Sequence, residues 1–227
     1  MSPGIGMGWI LMMLSSLPFF VYGADGTTMR MVIARPFSIN DLQRLSQSFD
    51  SWDEHPPCSN IAEIGEGNKS STSSQFNDIK VDLLLVYSRT LEQAEDNDSN
   101  VKDAIEKVTK KFHQTRGWDS CIRKVHSIGV GIDPNLDFYN ATQQTTNPLW
   151  VNGPNRHFER TIRFLQQAGQ GGGGSQMKAD VMYWMEMDSI PVKGYWLDAL
   201  TSEMYKVHQS NGDYGFAILG RYGFVMS

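Results

Sequence analysis

The chain has 227 residues, 40% hydrophobic and 20% charged, which is enough for one globular α/β domain with a buried core. A net charge of −5 excludes the basic footprint of a nucleic-acid-binding protein. No His/Cys cluster has zinc spacing and no Gly-x-Ser-x-Gly elbow occurs, which removes two further classes, structural-zinc modules and serine hydrolases of that type.

Residues 8–22 are an uncharged apolar run. It is shorter than the about 20 apolar residues of a membrane-spanning helix and is interrupted by Pro18. Val21 and Gly23 place small residues before Ala24, as signal cleavage requires, although no Lys or Arg precedes Arg30. We expect a signal peptide over residues 1–23, with a short type II signal anchor as the rival, and one domain over 24–227. The implied location is the secretory pathway, in the Golgi or ER lumen (with or without a membrane tether), or outside the cell. Three glycosylation sequons, at Asn68, Asn97 and Asn140, lie in polar, loop-like stretches that suit that route. Cys58 and Cys121 form one disulfide in an oxidising compartment or remain two buried thiols.

Met29–Ala34 has the length and apolarity of a strand ended by Arg35-Pro36-Phe37. Ser38, with Asp41 at the capping-box position, opens a helix whose apolar face is Ile39, Leu42, Leu45 and Phe49. Residues 58–75 read as a loop. Val81–Tyr87 is almost continuously apolar, the signature of a parallel strand buried on both faces. Asn100 caps a helix over Val101–Thr115, with Val101, Ile105, Val108 and Phe112 aligned and Gly117 beyond its end. A third strand is expected over Lys124–Ile132, and a helix capped by Asn155 runs to about Ala168. Gly169–Ser175 lacks the Lys-Ser/Thr of a phosphate-binding loop and precedes a strand, so it reads as a linker. The fourth strand, Ala179–Met185, runs on toward Asp188. After a Pro191 turn, Trp196, Leu200, Met204 and Val207 mark the last helix. This β-α alternation predicts an α/β fold, a mainly parallel sheet flanked by helices.

Ligands of such sheets bind at the carboxyl ends of the strands. Arg35-Pro36-Phe37, Ser88-Arg89 and Glu186-Met187-Asp188 stand at three of these ends. Residues two apart on a strand point the same way, so Glu186 and Asp188 are expected to present paired carboxylates. Hard oxygen ligands so placed suit Mn²⁺ or Mg²⁺ bridging to a diphosphate.

The segment Ala179–Leu200 resembles the metal-binding segment of glycosyltransferases of the GT-A fold. In that family a hydrophobic strand ends in a DxD-type motif, matched here by Glu186-Met187-Asp188, and a Trp-Leu-Asp helix (here Trp196–Asp198) follows a proline turn. Trp150–Arg156 is similar to the Gly-Pro-Asn turn that precedes a helix in such sequences. The resemblance implies a Rossmann-like, GT-A-like nucleotide-binding half, a nucleotide-sugar donor, and Mn²⁺ or Mg²⁺. It implies Asp188 as the principal metal ligand, Glu186 in place of the motif's first Asp, and Arg35, Asn155 and Arg156 as donor contacts. Members of the family continue into an acceptor-binding half, and with only Asn211–Ser227 after the last helix we expect that half to be incomplete here. Two functions follow as expectations. One is a metal-dependent glycosyltransferase acting on an unspecified glycan, protein or lipid acceptor, its activity reduced or lost if the acceptor half is missing. The other is a non-catalytic secreted or membrane-tethered binding protein on a degenerate transferase scaffold. A nucleotidyltransferase ranks below both, because no Gly-rich basic loop follows the first strand.

Overall fold

A computed structural model describes residues 29–59, 79–92, 99–115, 118–137, 152–169, 177 and 179–211. Strands β1 (Met29–Phe37), β2 (Ile79–Tyr87), β3 (Ile122–Gly129) and β4 (Val181–Trp184) alternate with helices α1 (Leu42–Glu54), α2 (Ser99–Gln114), α3 (Asn152–Gly169) and α4 (Trp196–Asn211). The strands form one four-stranded sheet, ordered β3-β2-β1-β4, with every pair parallel. The fold is α/β, as the alternation of elements predicts.

The chain steps from β1 to β2 to β3 in one direction, then returns past both to β4. Right-handed crossovers along such a path put the first two helices on one face and the third on the other. The core divides in that way. Met31, Ile33 and Phe37 of β1 pack with Leu83 and Leu85 against α1, α2 and α4, whereas Val32, Ala34, Leu84 and Val86 pack against Leu165 and Phe164 of α3. Each fully buried aliphatic side chain contributes roughly 1.5–3 kcal/mol of transfer free energy. The run Leu83–Val86 therefore drives the sheet together despite burying Asp82 beside it. Asp82 is satisfied by Arg123 of β3, whose Nε donates at 2.9 Å.

All four strands differ in extent from the sequence expectation, β2 by starting two residues early, at Ile79. β1 continues through Pro36 to Phe37. The Ala34 carbonyl faces β4, accepting from Met185 N–H at 2.9 Å, and Pro36, two residues on, turns its missing N–H the same way. β4 has already ended there, its last pair being Ala34 with Trp184, so proline removes no ladder bond. β3 begins two residues early and stops at Gly129. A Cβ on Gly129 would sit 2.5 Å from the Arg89 carbonyl oxygen, so only glycine lets the exit of β2 cross the end of β3. β4 is a half-buried strand of four residues, at the edge of the sheet among the described residues, and does not run on extended to Asp188. α3 also starts four residues early, at Asn152, which puts Asn155 inside the helix instead of at the cap.

Trp52 of α1 is fully buried among aromatic rings: Phe49 at 4.7 Å, Trp118 at 5.3 Å and Trp196 of α4 at 5.0 Å between centroids. Alongside, Cys58 and Cys121 form a disulfide with Cα atoms 6.1 Å apart. Pro56 and Pro57 then cap α4, their carbonyls accepting from Tyr195 and Leu197 N–H at 2.6 and 2.9 Å. Tyr195 takes a left-handed conformation, φ 61°, to make that turn. The leader, the three sequons, Trp150, Gly171–Ser175 and residues 212–227 lie outside the described residues.

Candidate functional site

The order of strands reverses between β1 and β4. Ligands of open parallel sheets bind at the carboxyl ends of the strands beside such a reversal; here the helices that follow β1 and β4, α1 and α4, pack on the same face of the sheet. β1 delivers Arg35, Ser38 and Asp41 to these strand ends, and β4 delivers the segment Met185–Ser189.

Beyond Trp184 the chain does not stay extended. Ser189 N–H donates to the Glu186 carbonyl at 3.0 Å, which closes a four-residue turn. Glu186 and Asp188 therefore do not share a face through strand alternation. The turn carries them instead, and both stand exposed on it. They lie within electrostatic range of each other. Crowding by the surrounding protein raises the Glu186 pKa, and repulsion from Asp188 and Asp41 adds to this, against the Trp184 hydrogen bond and the charge of Arg35.

The indole N–H of Trp184 donates to Glu186 Oε1 at 2.6 Å. The indole is held edge-on by His157 and Phe158 of α3, at 5.7 and 5.2 Å between centroids. The first turns of α3 are thereby tied to the end of β4. Asn155 and Arg156 stand exposed on that part of the helix.

Arg35 lies wholly buried beneath the turn. Its Nη1 donates to the carbonyls of Glu186 at 2.9 Å and Ser189 at 3.1 Å, with that of Met185 at 3.5 Å. Its guanidinium sits 5.7 Å over the Phe49 ring. Burial lowers its pKa to about 10, opposed by Tyr183, Asp188 and Glu186, so it stays charged at neutral pH.

On the β2 side of β1, Ser88 Oγ donates to Asp137 Oδ2 at 2.7 Å, and Arg89 Nε approaches the same oxygen at 3.4 Å. Asp137 is almost completely buried, and desolvation raises its pKa, with Asp41 adding repulsion. Asp41 itself accepts from the Ser38 hydroxyl at 2.6 Å and main-chain N–H at 3.0 Å. Its charge acts on both Asp137 and Glu186, so one acidic rim spans three strand ends. Asp137 carries no local sequence signal, because it follows β3 by a loop and reaches Ser88 across 49 positions.

No group of three or more His, Cys, Asp or Glu among the described residues is arranged to hold a metal ion. Glu186 and Asp188 offer two exposed carboxylates. That donor set does not make an all-protein cage, but it fits Mg²⁺ or Mn²⁺, which takes one or two carboxylates and completes its shell with water and substrate phosphate. Among the described residues, no helix is long and apolar enough to cross a membrane. Comparison with protein-family models, curated proteins and solved structures returns no match to this chain.

Proposed function

We propose that this chain is a metal-dependent glycosyltransferase of the GT-A type, which binds a nucleotide-sugar donor at the carboxyl ends of β1 and β4. One observation carries the reading: the paired acids Glu186 and Asp188 sit on a turn at the point where the sheet order reverses, the place where parallel sheets bind nucleotides. The GT-A resemblance of residues 179–200 points to the same acids.

On this reading Asp188 and Glu186 hold Mn²⁺ or Mg²⁺ together with the donor diphosphate. The metal, when bound, offsets the charge that develops on the departing diphosphate. Trp184 orients the Glu186 carboxylate, while the exposed Asn155 and Arg156, near the start of α3, provide polar contacts for the donor. The disulfide supports an oxidising, secretory location, where thiols of this kind pair and persist.

The test is calorimetric titration of the purified chain with Mn²⁺ and a panel of nucleoside diphosphates. We expect metal-dependent binding that disappears in Asp188→Ala. If the folded protein binds no nucleotide in the panel, the transferase reading fails and a non-catalytic binding protein on this scaffold remains.

A further inference from the structure

The alternation along β1 breaks at one position. Met31, Ile33 and Phe37 are apolar residues buried on the α1 side, and between them Arg35 points the same way with no exposure at all. A buried guanidinium without a partner carboxylate is costly. Among the described residues no carboxylate lies within ion-pair distance of it, and Nε and Nη2 have no hydrogen-bond partner. An apolar side chain would fill the same space without that penalty. Where a local rule is broken this plainly, the reason is sought in the site it serves.

We propose that Arg35 is a positioning residue, a buried cation that gathers the main chain of the acid turn and so fixes the direction in which Glu186 and Asp188 present their carboxylates. This rests on the reading of that turn as the metal-diphosphate site. The geometry is specific. Nη1 alone reaches the carbonyls of Glu186 and Ser189, the first and last residues of the turn, at 2.9 and 3.1 Å. These are also the two residues joined by the turn's own hydrogen bond, Ser189 N–H to the Glu186 carbonyl. Among the described residues β4 is a half-buried edge strand that ends at Trp184, and none of them pairs with the chain beyond Met185. Arg35 supplies that constraint from the neighbouring strand. The Phe49 ring below the guanidinium and the packing of β1 hold the guanidinium in turn. Arg35 acts on the ligand through the backbone and touches none of it.

The experiment follows backbone amide NMR signals of the full chain and its Arg35→Lys and Arg35→Met variants, first alone and then with Mn²⁺ added. In the metal-free protein, hydrogen exchange at Ser189 is expected to quicken about tenfold or more in both variants, while the amides of β1 and β2 stay protected, because a lost charge-assisted bond frees the turn and not the sheet. In the wild type, Mn²⁺ is expected to broaden the amides of residues 186–189. The variants are expected to need about ten times more Mn²⁺ for the same broadening, with Lys recovering part of the loss because it keeps the charge but not the planar fork.

A role confined to fold stability would lower the melting temperature without changing Ser189 exchange relative to the sheet, and that result overturns the proposal. If Arg35→Met does not fold, Arg35→Lys decides by the same two readouts. If Mn²⁺ broadens nothing in the wild type, the metal reading fails, and the metal-free exchange at Ser189 still decides the role of Arg35.

Discussion

The indole N–H of Trp184 lies 2.6 Å from Oε1 of Glu186, and the same indole is wedged against His157 and Phe158 of α3. The last residue of the β4 strand thus fixes one oxygen of a carboxylate two positions on and leaves the other oxygen for a ligand. Trp184→Phe keeps an aromatic ring at this position but removes the N–H, together with part of the ring surface packed on α3. Partners that orient a metal-binding carboxylate are commonly worth ten- to a hundredfold in metal affinity. We expect Trp184→Phe to weaken Mn²⁺-dependent nucleotide binding about tenfold while shifting the melting temperature little. Unchanged affinity in calorimetric titration would show that the hydrogen bond does not set the orientation of Glu186.

Why one part of this site was legible in the sequence and another was not follows from how each part is built. The apolar run Val81–Tyr87 predicts a doubly covered parallel strand, because burial on both faces needs continuous hydrophobicity, and that is its environment. The acids Glu186 and Asp188 stand at a strand end, where the sequence pattern points. Their geometry was not legible, since the turn at Glu186–Ser189 has no proline or glycine to announce it and is held by Arg35 from 151 positions away. Asp137 and Asp41 join the acidic rim through similarly distant relations. Periodicity reports a residue's own element, and a long-range hydrogen bond leaves no mark on it.

The disulfide joins the segment after α1 to the entrance of β3, across 63 positions. Closing a loop of that length restricts the unfolded chain by about 4 kcal/mol in the chain-entropy account. Cys58→Ser and Cys121→Ser, singly or together, are therefore expected to lower unfolding free energy by about 2–5 kcal/mol, seen as a lower denaturant midpoint. Reduction of the wild type should produce the same midpoint as the double variant. A midpoint insensitive to reductant would show that the aromatic cluster around Trp52 and Trp118 fixes this region without the bridge.

Asp82 is buried on β2, and its pKa is lowered to about 2. Desolvation opposes this, but the charge of His126, 3.8 Å away, and the hydrogen bonds and charge of Arg123 overcome it. A carboxyl depressed below its unfolded value near 3.8 stabilises the fold above that value and loses the contribution as pH falls toward 2. The difference corresponds to about 2 kcal/mol at neutral pH. Asp82→Asn is expected to cost about that much at pH 7 and to flatten the loss of stability between pH 4 and 2. Chemical denaturation of the two proteins across that range provides the check, and equal slopes would remove Asp82 from the acid response.

His157 titrates in a different window. It is completely buried against Trp184, and desolvation lowers its pKa to about 4 despite a hydrogen bond with the Val86 main chain. The unfolded chain takes up a proton near pH 6.5, whereas the folded chain resists it until about pH 4. Across that interval the unfolded state binds more protons, so stability falls as pH drops, by about 3 kcal/mol in total, and the loss is complete below pH 4. The raised carboxyls of Asp137 and Glu186 oppose this slope, because the folded state protonates them more readily than the unfolded chain does. The contribution of His157 is therefore isolated as a difference. Wild type and His157→Gln, a variant with a polar side chain that does not titrate, are unfolded by denaturant at intervals between pH 7 and 4. The wild type is expected to lose about 3 kcal/mol more than the variant over that range. Parallel curves would mean that His157 is protonated in the folded protein at its ordinary pH, and that its contact with Trp184 at the base of the acid turn is made by an imidazolium.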